Sequence, residues 1–122
     1  MGIQDWSENV ISVDLRPEPQ TRDQIDEVIH QVRNRGNCGV VMDFTNVTIL
    51  TSTSLAALLR LRKLLTDCGQ RLVLCAVGSA TKGVISVTGL DGVFEIVDDR
   101  FAALAQVEAM PSSPVGSVEE TP

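Results

Sequence analysis

A chain of 122 residues, 43% of them apolar, has enough hydrophobic side chain for one core, and a second domain is not expected. Sixteen acidic against ten basic side chains leave a net charge of −6, and three Phe, one Trp and no Tyr offer few rings, so the cationic surface and stacking platforms that nucleic acid requires are both missing. Cys38, Cys68 and Cys75 form no Cys-x-x-Cys pair and stand beside a single His, a pattern that fits neither a metal site nor a disulfide framework and reads as small buried thiols; no cofactor is expected.

The opening "MGIQDWSENV" lacks the basic end and apolar middle of a signal peptide. No stretch approaches the roughly 20 apolar residues of a membrane span. A cytoplasmic protein is expected. From Asn9 to Leu15 apolar and polar residues alternate, which predicts a strand with one buried face, and Met1 to Trp6 can pair beside it. Pro17 and Pro19 end that strand because they have no amide hydrogen to give. Thr21 and Gln24 then read as a capping box for a helix whose apolar positions are Ile25, Val28, Ile29 and Val32, ending near Arg35 with "GNCG" as its exit turn.

"VVMDF", Val40 to Phe44, is short, β-branched and almost wholly apolar, as a central strand covered on both faces should be. After "ILTSTS" the residues Leu55, Leu58, Leu59, Leu61, Leu64 and Leu65 predict a long helix stopping at Cys68, with Gly69 as its left-handed terminator. "RLVLCAV", Arg71 to Val77, is a second buried strand. Ser79 is placed to cap a short helix carrying Val84, Ile85 and Val87 that "TGLDG" ends. "VFEIV" predicts a last strand, and Phe101, Leu104, Ala105 and Glu108 a last helix. Strands alternating with helices at this spacing predict an α/β domain over residues 1–109, with a mixed, mostly parallel sheet of about four to five strands, an antiparallel N-terminal edge and about four helices packed on it. The segment 110–122, "MPSSPVGSVEETP", is rich in Pro and Ser and reads as a disordered acidic tail.

No catalytic constellation emerges. Both glycine-rich phosphate loops are absent, His30 sits among polar neighbours on the first helix, and Asp98 and Asp99 precede a helix, where acids suit the positive end of its dipole. The chain is not expected to be an enzyme. What stands out is four consecutive hydroxyls, Thr51 to Ser54, where a helix start needs only one or two capping oxygens. Taken alone they are a capping stretch.

Their surroundings give them another meaning. "VVMDFTNVTILTSTSLAALLRLRKLLTDCGQRLVLCAV", followed by "VGSATKGVISVTGLDGVFEIVDD", resembles the STAS domain of bacterial anti-sigma factor antagonists: an apolar strand, a phosphorylatable residue at the start of a Leu-rich helix, a further strand, a short helix closed by a Gly-Leu pair (Gly89, Leu90) and a final strand. The resemblance spans Val40 to Asp99 and implies a STAS-like fold. It puts the phosphoacceptor on Ser52, the preceding aspartate on Thr51, the small residue on Thr53 and the glycine on Ser54. Thr51 and Ser54 depart from the pattern, and "LRPEPQT" replaces the Gly-acidic-apolar-Asp motif that brings a second aspartate to the site. The sequence thus shows neither nearby aspartate.

Helix geometry orders the hydroxyls. With Thr51 as N-cap, Leu50 and Leu55 occupy the two positions that pair in a hydrophobic staple, and Ser52 falls at the first helical position with its hydroxyl free. A dianion there suits the helix dipole. Thr53, Ala56 and Ala57, then Arg60 and Lys63, predict a low-relief face on which a partner docks. The resemblance implies that this partner is an anti-sigma factor with serine kinase activity, with a phosphatase to reverse the modification; the alternative is a STAS interaction module that is not phosphorylated, acting as a scaffold or transporter-associated subunit.

Overall fold

The structure is a computed structural model and describes residues 2–7, 9–90 and 92–109, the side chains of 108 and 109 excepted. The expected tail over 110–122 and the Glu108 side chain lie outside the described residues. Among the described residues nine elements follow one another: β1 (Ile3–Ser7), β2 (Val10–Asp14), α1 (Gln20–Arg35), β3 (Gly39–Asp43), α2 (Ser52–Asp67), β4 (Leu72–Cys75), α3 (Ser79–Val87), β5 (Glu95–Val97) and α4 (Arg100–Ala109). The sheet order is β1-β2-β3-β4-β5; β1 pairs antiparallel with β2, and every later pair is parallel. This is the expected mixed α/β sheet, with β3 at its centre.

Alternation along the central strands divides the interior in two. Val40 and Met42 of β3, with Ile11, Val13, Leu72 and Leu74, join the apolar stripes of α1 and α2 in the larger core. Val41 points the other way and joins Val10, Val73 and Cys75 against Ala103, Leu104 and Val107 of α4. A strand buried on both faces must be apolar at consecutive positions, hence "VVM". Gly39 belongs to the same logic: a Cβ there would lie 2.6 Å from Val107 Cγ1, so its absence lets α4 lie close to the start of β3.

Helix ends show where local signals are strong. The Gln70 amide donates to Leu65 O at 2.8 Å and the Gly69 amide to Thr66 O at 3.0 Å, with Gly69 at φ 72°. Leu90 and Gly89 repeat the arrangement on Ile85 O and Ser86 O, at 2.9 and 3.0 Å, with Gly89 at φ 76°. Both helices therefore close on the double hydrogen bond of a Schellman motif, and the Gly-Leu pair is a chain reversal whose leucine packs back on the core.

Four expectations need correction. Thr21 and Gln24 make no capping box: Pro19 is the N-cap of α1 and gives no side-chain cap, while buried Thr21 donates from Oγ1 to Arg16 O (2.7 Å). Gln24 meanwhile accepts from the Arg16 amide (2.5 Å) and donates to Asp14 O (3.0 Å). Both side chains thus stitch α1 to the end of β2, because the chain reaches α1 through a turn at residues 17–20 that carries these backbone groups beside them. Ser79 is the first helical residue of α3 and Gly78 its N-cap; Val84 and Val87 are exposed, and Thr81 and Ile85 face inward. On α4 the buried residues are Ala103, Leu104 and Val107, while Phe101 is 81% exposed, so the apolar face is rotated from the one expected. Cys68 is exposed as the C-cap of α2, whereas Cys38 and Cys75 are buried.

Candidate functional site

The turn after β3 delivers α2 to the surface. Asp43 Oδ1 accepts from the Thr45 amide at 2.8 Å and from the Thr45 hydroxyl, an Asx turn that ends the strand, and the Val47 amide closes on Phe44 O at 3.0 Å. Leu50, buried, then anchors the chain in the same core as Leu55. Thr51 is extended (ψ 161°); its Oγ1 accepts from the Ser54 amide at 3.2 Å and its carbonyl from the Leu55 amide at 2.9 Å. It is the N-cap, and the staple positions around it are both buried.

Ser52 follows as the first residue of α2, exposed, and its hydroxyl makes no hydrogen bond among the described residues. Thr53 is exposed and its Oγ1 lies 3.2 Å from Thr51 Oγ1. Ser54 is fully buried, and its Oγ has no hydrogen-bond partner among the described residues. Along α2, Thr53, Ala56, Arg60 and Lys63 are all exposed and recur at the spacing of one helix face. Ala57 leaves that surface: it is wholly buried in the core, because position 57 lies three residues after Ser54 and four before Leu61 on the inward stripe. Arg60 lies 3.4 Å from Asp26 of α1 and Lys63 3.2 Å from Asp67, so local carboxylates balance both cations.

A carboxylate that the sequence did not connect to the site is also present. Glu18, in the turn between β2 and α1, accepts from both the Thr51 amide and the Thr51 hydroxyl through Oε2, each at 3.1 Å. Burial pushes the Glu18 carboxyl up, but the donors of Ser54, Thr51 and Thr21 outweigh it and hold the group below the ordinary 4.5. Ser54 acts there as a nearby hydroxyl dipole, since among the described residues its Oγ reaches no partner at bonding distance. "LRPEPQT" does hold this acid, but only the tertiary fold brings residue 18 to residue 51, 33 positions later.

The other candidate positions lie apart. Asp14 and Asp43 are register partners at the ends of β2 and β3, and Arg100 at the start of α4 pairs with both, 3.1 Å from Asp43. Asp99 caps α4 by accepting from the Ala102 amide at 2.8 Å. His30 is exposed on α1, 3.3 Å from Asn34 Nδ2. A groove of about 230 Å3, lined by Arg62, Thr66, Gln70 and Arg71 among others, lies along the second half of α2, toward the end opposite Ser52. Among the described residues no cluster of three or more His, Cys, Asp or Glu side chains is placed to hold a metal ion, and no helix is long and apolar enough to cross a membrane.

Comparison with known proteins gives a consistent set of likenesses. The family model described as the STAS domain matches residues 13–103. TM1081 of Thermotoga maritima superimposes with a TM-score of 0.75 at 18% identity over 87% of this chain and 92% of its own. The Bacillus anti-sigma factor antagonist SpoIIAA matches in its unphosphorylated form (TM-score 0.71, 11% identity, 88% and 96% of the two chains). Its phosphorylated form matches as well (TM-score 0.67, 16% identity, 86% and 96%). A sulfate transporter family protein of Wolinella succinogenes matches at a TM-score of 0.67 and 15% identity over 83% and 84%. A search of curated proteins finds no match.

Proposed function

This chain belongs to the STAS domain family, and from that premise we propose that it is a cytoplasmic regulatory domain of the anti-sigma factor antagonist kind, which binds an anti-sigma factor with serine kinase activity and is switched by phosphorylation on Ser52. It acts by binding and not by catalysis. The observation that carries the reading is the division of labour at the start of α2: Thr51 supplies the cap, which leaves the Ser52 hydroxyl exposed and unengaged at the first helical position. A kinase transfers the terminal phosphoryl group of a nucleoside triphosphate to Ser52 Oγ, the hydroxyl proton is lost and the nucleoside diphosphate leaves. The product carries about −1.5 to −2 charges at a helix end whose unpaired amides favour anions, so the fold tolerates it. The docking face is the exposed strip of Thr51, Ser52, Thr53, Ala56, Arg60 and Lys63, and a dianion on it excludes a partner whose matching surface is acidic.

A second reading keeps the fold without the switch, as a scaffold or transporter-associated STAS module. Thr51 in place of the aspartate favours it, as does the likeness to the Wolinella succinogenes protein. Intact-mass analysis of the protein isolated from its own cells separates the two. The switch predicts a fraction heavier by one phosphoryl group, mapped to Ser52 and absent from Ser52→Ala. Protein of a single unmodified mass under every growth condition contradicts the switch and leaves the scaffold.

A further inference from the structure

Resting on Ser52 as phosphoacceptor, we propose that Glu18 is a latch on the first turn of α2 which phosphorylation of Ser52 expels, so that the modified surface differs by a displaced β2–α1 turn as well as by the new charge.

The start of α2 is one half of a capping box. In the complete motif the N-cap hydroxyl accepts from the N3 amide, and an acidic or amide side chain at N3 reaches back to the N-cap amide. Thr51 performs the first half on Ser54. Ser54, at N3, is too short for the second, and its hydroxyl stays unpartnered in the interior. Glu18 completes the motif from another element, taking both the Thr51 amide and the Thr51 hydroxyl on one oxygen. An internal anion therefore occupies the helix end where the phosphate must sit.

Two anions on one helix turn repel each other, and Glu18 already holds the Thr51 amide, one of the few amides there without a partner inside the helix. The phosphoryl group is covalently tethered to Ser52, whereas Glu18 is bound only by hydrogen bonds on a partly exposed side chain. Glu18 is the one that leaves. Its backbone is free to follow within narrow limits. Upstream, Leu15 is held by its amide on Asp43 O (3.1 Å) and Arg16 by Gln24 and Thr21; downstream, Gln20 already belongs to α1. Displacement is confined to Pro17, Glu18 and Pro19, beside the docking face.

The test needs neither kinase nor partner. The full chain is made with serine or with phosphoserine at position 52, each with Glu18 and with Glu18→Gln, and nuclear magnetic resonance follows the Glu18 side-chain carboxyl carbon and the backbone amides of residues 18, 20 and 51. Phosphoserine should move the Glu18 carboxyl signal to that of a solvated glutamate and shift all three amides. The glutamine variant keeps an acceptor oxygen for Thr51 and gains an N–H for the phosphate, so there phosphoserine should leave residues 18 and 20 in place. Unmoved Glu18 signals in the phosphorylated chain, or equal shifts at residues 18 and 20 in both backgrounds, would overturn the latch. Neither result bears on whether cells phosphorylate Ser52, which the intact mass decides separately.

Discussion

Thr51 and Ser52 are adjacent hydroxyl residues in opposite surroundings, and substitution should separate them. Thr51→Ala removes the acceptor of the Ser54 amide and one of Glu18's two anchors, for a loss of about 1–2 kcal/mol in chemical denaturation. Ser52→Ala should lie within about 0.5 kcal/mol of wild type, because the exposed hydroxyl has no partner to lose among the described residues. Glu18 adds a pH dependence. Its carboxyl lies below the ordinary 4.5 when folded, so as pH falls the unfolded chain takes up the proton first. The stabilisation is complete above 4.5 and is lost as pH falls through the lowered value. Glu18→Gln should therefore flatten that part of the acid unfolding curve, and an unchanged curve would mean that the contact contributes nothing. The cap was legible in the sequence because the staple spacing of Leu50 and Leu55 selects Thr51 over Ser52. Glu18 was not, because no local pattern records a contact across 33 residues.

At the scale of elements, periodicity located every helix but did not always fix which face turns inward. The Leu-rich face of α2 was unambiguous, with Leu58, Leu61 and Leu65 wholly buried. On α4 the exposed Phe101 drew the expected face away from Ala103, where a small residue is what lets the helix approach Val41, Val73 and Cys75. Large apolar side chains do not mark the buried face there, nor at Val84 and Val87 of α3, which are exposed. Ala57 shows the converse: a small side chain that looked like docking surface is core. The close seat of α4 can be tested at Gly39. Gly39→Ala places a methyl group against Val107 and 3.2 Å from Arg71 O, and should cost about 1–3 kcal/mol; a neutral result would show that α4 sits further from β3.

For the molecule as a whole, the sheet separates two cores, and the thiols report on both. Cys38 lies in the core under α1 and α2, Cys75 in the one under α4, and Cys68 on the surface. An alkylating reagent should add one label to the native protein, at Cys68, and three after unfolding. Burial, with Asp43 and Asp99 nearby, pushes the Cys75 thiol up to about 12 from the ordinary 9.0. Stability from that group is complete below 9.0 and is lost as pH rises toward about 12. Arg100 joins the sheet to α4 between two register-paired carboxylates. Arg100→Gln leaves Asp14 and Asp43 facing each other across a partly exposed site and should cost about 0.5–1 kcal/mol, with much of the loss recovered at high salt. The parallel order and the central β3 could be read from the apolar run at residues 40–42; the pairing of Asp14, Asp43 and Arg100 could not, because three separate strand and helix ends have to meet first.

The phosphorylation switch is tested most directly by affinity capture from the organism's own lysate on immobilised wild type, Ser52→Ala and Ser52→Asp chains. One protein should be retained alike by wild type and Ser52→Ala, and at least about tenfold less by Ser52→Asp, the scale of about 1.4 kcal/mol of like-charge repulsion at the docking face. Equal retention of that protein by all three chains would contradict control of binding by charge at Ser52.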